Sequence, residues 1–533
     1  MAAEDWPMKE DRIAQTEFVS SFKAASSVYS NSHELPEILN VFQAIAEPLR
    51  TRFQYHFTSK RATNRLDKPE WALQHVLALA EQYEGFMANF VQPLLSEALP
   101  ARGLVASHEF IHALLPMVTT KLQDNTSRLL EDKQLLTYTI AEVKRFDDTM
   151  RENFGLCSRE GSYWKGVCNE ILTKEVFEAW LTSEEDFSME RYHAIMDGVD
   201  VFEIVPDTEE STGEIAPNPS ASRIIDLFEA MTKTFTPLED LSQRRKFTQS
   251  IQVALLDTYR SRIVSSTDAF EALTSGFSGG FPTTDVAGNS GLQRLCRQLS
   301  GVSNVLSRLM DWVNDPYYVA IDDPDTHESC FDRQIQDYTL LKRRIETLIV
   351  NHLSNELTQD LRNYTRLQDW ASSESQVATI AANSHTSSQL IRFYESIDSM
   401  FGYLATVAST VLIHRLYISL GQELDQVIYD SIIKRNEFSR RGALQLKRDI
   451  LQMWWTFSPY VARPEAGMRS VAESLALLSD GKDSQEAAVL REVEIALDEK
   501  TRLSHSTRVE MLEAAGIVTM APQALFRPAI IRV

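Results

Sequence analysis

Arg52-Phe53-Gln54-Tyr55-His56-Phe57, then Thr58-Ser59-Lys60-Arg61-Ala62-Thr63-Asn64-Arg65-Leu66, then Asp67-Lys68-Pro69-Glu70-Trp71, reads as one helix ending, a basic loop and a second helix beginning. Upstream, Val41, Ile45, Leu49, Phe53 and Phe57 step by four and form one apolar stripe, with Pro48 predicting a kink or a break. Asp67 has the side-chain oxygen an N-cap requires, Glu70 is placed to reach back to its backbone N–H, and Pro69 loses no bond in a first turn. Downstream, Trp71, Val76, Tyr83, Phe86, Phe90 and Leu94 recur at mostly helical spacing. A helix with one apolar stripe must bury it against neighbours, so the stretch predicts a helical bundle.

The rest of the chain repeats that pattern. Helical spacing is readable over 109–121, 129–146, 163–181, 222–263 with a break at Thr236-Pro237, 389–457, and 465–515 with an interruption at Asp480-Gly481. Phe331, Ile335, Tyr338, Leu341, Ile345, Leu348 and His352 predict one long amphipathic helix. Two loops separate the helical blocks. One is acidic, running from Asp207 through Gly213 and Glu214 to Pro217 and Pro219; the other gathers Gly276, Gly279, Gly280, Pro282, Gly288 and Gly291. No sustained period-two alternation and no fixed internal repeat occurs. The expected fold is all-α, an elongated helical rod of successive antiparallel bundles. Its expected divisions are a weakly ordered segment 1–33, a first bundle 34–205, an acidic loop 206–222, a middle block 223–385 with its Gly-rich loop 276–291, and a C-terminal bundle 386–533 whose apolar tail, 528–533, tucks onto it.

Composition bounds the function. Lys and Arg total 53 against 75 Asp and Glu, a formal charge of −22 over 533 residues. That sign opposes nucleic-acid binding and bulk attraction to an anionic leaflet. Cys157, Cys168, Cys296 and Cys330 are scattered, without metal-ligand spacing, and fit a reducing compartment. The first twelve residues are acidic and lack an apolar core, so they are not a signal peptide. The longest apolar run, Tyr403 to Leu420, contains His414 and Arg415 and predicts a buried helix rather than a span.

One motif suggests chemistry. His108-Glu109-Phe110-Ile111-His112 matches H-E-x-x-H, which on a helix puts two zinc ligands one turn apart with Glu109 as general base and Glu131 as a third ligand. Pro116 should end or kink that helix, and no strand accompanies it. The preferred reading puts Phe110, Ile111, Leu114 and Leu115 in a core and the histidines towards the surface. No cofactor is expected. Trp164, Trp180, Trp370, Trp454 and Trp455 lie in helical patterns and read as core.

The opening stretch, with Arg52, Phe53, Tyr55, His56, Phe57, Lys68, Pro69 and Trp71, resembles a signature of the RINT/TIP family of ER-associated vesicle-tethering subunits. The resemblance continues in Val176-Phe177-Glu178-Ala179-Trp180-Leu181, Phe235-Thr236-Pro237-Leu238, Arg244-Arg245-Lys246-Phe247 and Gly291-Leu292-Gln293-Arg294-Leu295-Cys296, in patches over roughly 40–520. It implies a non-enzymatic tether in Golgi-to-ER retrograde transport, binding ER SNAREs and a partner rod subunit. It also implies a cytoplasmic protein, peripheral on the endoplasmic reticulum, whose membrane contact runs through partners. In that family a helical coiled-coil region that joins the partner precedes the signature; here about fifty residues precede Arg52. Two alternatives stay open: a zinc metallopeptidase through His108, Glu109 and His112, and a helical adaptor in another cytosolic complex.

Overall fold

The stripe from Val41 to Phe57 is the buried face of α2, Asn40–Phe57. Pro48 sits inside this helix without ending it. The proline and Ala44, whose carbonyl it leaves without a helical donor, both lie on the exposed side, so the unpaired oxygen is not sealed in the core. Pro116 is likewise inside a continuous α5, Ala106–Leu130, where a break was predicted.

The computed structural model describes residues 12–29, 35–100, 102–157, 164–205, 213–236, 238, 240–275, 286–322, 328–366, 370 and 386–478. In order the helices are α1 Arg12–Ser27, α2, α3 Pro69–Phe86, α4 Gln92–Ala98, α5, α6 Lys133–Phe154, α7 Val167–Ile171, α8 Lys174–Met196, α9 Pro219–Phe235, α10 Leu241–Phe247, α11 Ala254–Ser275, α12 Gly288–Trp312, α13 Pro316–Val319, α14 Asp332–Thr365, α15 Ile391–Val407, α16 Thr410–Ile428, α17 Arg440–Phe457 and α18 Arg469–Leu478. Wider π turns join α3 to α4, α10 to α11, and extend α16. Among the described residues there is no strand; an isolated antiparallel bridge pairs Ile215 with Ala408. The fold is all-α. The apolar tail 528–533, most of the predicted 465–515 helix and most of the Gly-rich loop lie outside the described residues.

The chain forms two compact units, Met1–Arg191 with Ala230–Gln252, and Tyr192–Glu229 with Val253–Val533. In the first, α5 packs against α2 and α3, and α6 packs against α3. Where weak order was expected before residue 33, α1 forms. Phe18 packs against Phe86 and Phe90 at 6.2 and 5.9 Å, and Phe22 meets Phe42 edge-on at 6.1 Å, so two aromatics one turn apart anchor a helix with little stripe of its own.

In the second unit α14 packs along α12 and α16. Two glycines set the close approaches there. A Cβ on Gly301 of α12 would lie 2.6 Å from the Tyr259 hydroxyl of α11, and one on Gly421 of α16 would lie 3.0 Å from the Gly467 backbone. The Tyr403–Leu420 run is divided between α15 and α16, whose N-cap is Ser409. Glu214 ties the segment after the acidic loop to the helices, accepting from Lys342 at 2.5 Å and from both terminal nitrogens of Arg415 at 3.0 and 2.8 Å. Those bonds, Arg415's first, hold its carboxyl down at about 2.

Candidate functional site

The joint between α2 and α3 is built on a buried aromatic floor. Phe53 and Phe57 lie 5.0 Å apart, and His75 of α3 packs on both at 6.1 and 5.4 Å. Burial pushes the imidazole of His75 down, and the charges of Arg52 and His56 add to the effect. The loop above this floor is held from α5. Lys121, itself buried, donates to the Phe57 carbonyl at 2.7 Å and to Asn64 Oδ1 at 2.8 Å, while Asn64 Nδ2 donates to the Ser59 carbonyl at 3.0 Å. Burial lowers the ammonium pKa, assisted by Arg128 and opposed by Asp124.

Asp67 does not cap α3. Its two oxygens take the fork of Arg65, Nε to Oδ1 at 2.9 Å and Nη2 to Oδ2 at 2.5 Å; the residue at the cap is Lys68, without a side-chain bond. A planar bidentate charge pair outcompetes one neutral N–H donor for the same carboxylate. Pro69 is buried as the first helical residue, as predicted, and Glu70 accepts from the Tyr138 hydroxyl of α6 at 3.1 Å instead of closing a capping box.

The outer surface of the joint is aromatic and basic. Tyr55 is 51% exposed and Trp71 39%. The Arg61 guanidinium lies over the Tyr55 ring at 4.1 Å and bonds its hydroxyl; that of Arg65 lies 5.9 Å from the Trp71 ring. Arg52 is exposed, and His56 is half-buried against Tyr55 at 5.2 Å.

Trp180 centres a second cluster in the same unit. It is buried and stacks on Phe235 at 4.3 Å, which stacks on Phe247 at 3.4 Å. Lys246 pairs with Glu178, and Arg244 donates to the carbonyls of Leu238 and, at 3.0 Å, of Thr236. Segments read as separate patches, 176–181, 235–238 and 244–247, are thus one packed core. The other tryptophans read as core are buried too, Trp164, Trp370 and Trp454, while Trp455 is half-buried.

The H-E-x-x-H residues have structural employment. Phe110, Ile111, Leu114 and Leu115 are buried, as predicted, but so is Glu109, and the histidines are half-buried rather than surface groups. His108 Nε2 donates to the Phe154 carbonyl at 3.1 Å and His112 Nε2 to that of Cys157 at 3.2 Å, so they fasten the end of α6 and the segment after it. Cys157 Sγ lies 3.7 Å from His108 Nδ1. Among the described residues no three His, Cys, Asp or Glu side chains gather as a metal site, and all four cysteines are free thiols.

Asp147 and Asp449 are buried acids that the sequence analysis did not single out. Asp147 of α6 accepts from the backbone N–H of Val167 at 3.0 Å and of Cys168 at 2.8 Å, and burial pushes its carboxyl up to about 7. Asp449 of α17 accepts from Tyr364 Oη at 2.9 Å, from the Ser387 N–H at 2.9 Å and hydroxyl at 2.7 Å, and from Gln445 at 3.0 Å. Nothing local in the sequence marks such groups, nor Lys121: each acquires its meaning from partners roughly 20 to 85 positions away.

Comparison with known proteins agrees with the helical architecture. The model of the RINT-1/TIP-1 family matches residues 41–525, a range that includes the joint and Trp180. "RINT1-like protein" of Drosophila melanogaster is 23% identical over 459 residues, 83% of this chain and 58% of the relative. "Protein transport protein tip20" of Schizosaccharomyces pombe is 20% identical over 512 residues, 93% of this chain and 71% of the relative. The chain therefore spans under two thirds of the Drosophila relative's length. A chain in a crystal structure described as the SNARE Sec20 bound to Dsl1 complex subunit Tip20 superposes with a TM-score of 0.59 at 15% identity, covering 94% of this chain and 78% of that one; the likeness is one of fold.

Proposed function

The chain belongs to the RINT-1/TIP-1 family, and from that premise we propose that it is a non-enzymatic subunit of a vesicle-tethering complex acting in Golgi-to-ER retrograde transport. The observation that carries this is the family match over 41–525, joined to a fold shared with a chain of a complex in which a SNARE is bound to Tip20. On this reading the chain's partners are ER SNAREs and other tether subunits. It works on the cytoplasmic side of the endoplasmic reticulum and reaches the membrane through those partners; among the described residues no helix is long and apolar enough to cross one.

Helices suit the task physically. Packed bundles present long, rigid faces on which a partner helix can lie by ridges and grooves, with little reorganisation cost on binding. The signature residues are then scaffold. Phe53, Phe57, Pro69 and Trp180 fill the core, while Arg52, Tyr55, His56, Lys68 and Trp71 shape the joint's outer side. The test is depletion of the protein in cells followed by assay of an ER-resident membrane protein that cycles through the Golgi. The proposal expects that cargo to accumulate in the Golgi or at the cell surface and to return to the ER on re-expression. Unchanged cargo distribution after complete depletion contradicts it.

A further inference from the structure

Residues 50–68 hold six basic side chains, Arg50, Arg52, Lys60, Arg61, Arg65 and Lys68, against one acidic, Asp67, in a chain whose net charge is −22. Part of that charge is spoken for: Arg65 by Asp67, Arg50 by Glu47 at 3.3 Å and Lys68 by Glu70 at 3.5 Å. Among the described residues Arg52, Lys60 and Arg61 have no carboxylate partner, and all three are exposed. Of the three, Arg61 lies over the exposed ring of Tyr55, Arg52 precedes that ring by about one helical turn, Lys60 follows it in the loop, and the exposed Trp71 begins the helix on the loop's other side.

Tyr, Trp and Arg side chains are the residue types that most often anchor a binding surface. Here the arrangement is held in place: Lys121 pins the loop from below, and the guanidinium groups of Arg61 and Arg65 cover ring faces from above. Such pre-formed Tyr, Trp and Arg anchors lose little side-chain entropy when a partner arrives.

We propose that the α2–α3 joint is a docking surface for an acidic peptide segment of a partner protein, its carboxylates meeting Arg52, Lys60 and Arg61 and its apolar side chains resting on Tyr55 and Trp71. An anionic membrane fits the surface less well. A chain of charge −22 is repelled by the flat anionic plane around any point of contact. A single peptide meets only the local field. The proposal stands whether or not the chain tethers vesicles, and its test needs no trafficking protein.

The experiment is fluorescence anisotropy of the full chain with a fluorescein-labelled peptide of Glu-Leu-Glu-Glu repeats, with the same peptide carrying Gln for Glu as control. Phosphatidylserine vesicles are assayed alongside by flotation. Saturable binding of the Glu peptide is expected, weakening by about tenfold or more in the Lys60→Glu, Arg61→Glu double variant and weakening as salt is raised. A second variant, Trp71→Ala, is expected to weaken binding without altering its salt dependence. Circular dichroism confirms that each variant keeps its helices. Equal affinity for the Gln peptide overturns the proposal, as does unchanged binding in the double variant. Flotation with vesicles in the absence of peptide binding overturns it in favour of a membrane.

Discussion

Asp147 is where one residue's chemistry reaches furthest. Its carboxylate is buried and receives two backbone N–H groups at the start of α7, and Gly166, at φ 87°, brings the chain so close that any Cβ there would collide with Asp147 Oδ2. Burial raises its pKa from 3.8 to about 7 even though those two bonds and Arg151 pull the other way. The native state therefore holds the proton more tightly than the unfolded chain does. The resulting stability is fully present below the unfolded value of 3.8 and is lost as pH rises through about 7. Asp147→Asn, which cannot titrate, removes that contribution. The difference in urea midpoint between wild type and variant is expected to shrink, or swing towards the variant, between mildly acidic and mildly basic pH; parallel profiles would refute the assignment. None of this is legible in the sequence, because the groups that meet Asp147 belong to Val167 and Cys168 in another helix. Trp180 was legible, because a large aromatic inside a helical pattern is more cheaply buried than exposed.

The element scale shows what periodicity captures. The stripes of α2 and of α15, with Ile397, Phe401, Leu404 and Val407, are buried as spaced. In α14 the stripe drifts: Gln334 and Ile349 are buried where Ile335 and Leu348 were expected and are only half-buried. A long helix turns slowly against any fixed spacing of three and four, so the buried line moves by one residue over several turns. Helix ends were less readable, because capping is a competition. Asp67 prefers Arg65 to the backbone, and Pro48 and Pro116 are tolerated inside helices. The joint itself depends on a side chain that sequence could not nominate. Lys121→Met keeps the packing volume but leaves the Phe57 carbonyl and Asn64 Oδ1 without their donor, which costs about 1–3 kcal/mol. A lower thermal midpoint and faster amide exchange confined largely to residues 58–68 are expected; a midpoint equal to wild type would show that the lysine does not hold the loop.

For the whole molecule, fold class was readable because evidence accumulates over hundreds of residues: helical spacing recurs throughout and strand spacing nowhere. Organisation into units was not readable in the same way. Composition marks polar loops such as 206–222, yet the first unit takes back Ala230–Gln252 after the chain has left it, a return decided by packing around Phe235 and Phe247 rather than by any local signal. Function was legible only through resemblance, and the H-E-x-x-H match proved to be a pair of histidines whose rings bond backbone carbonyls. The proposal is that this chain receives a SNARE. It is tested most directly by mixing the purified chain with the purified cytosolic region of a Sec20-type ER SNARE and measuring association by isothermal titration calorimetry. The account predicts a saturable one-to-one complex that survives gel filtration; no heat and no co-elution at concentrations of about 10–100 μM, well above the range of specific complexes, would contradict it.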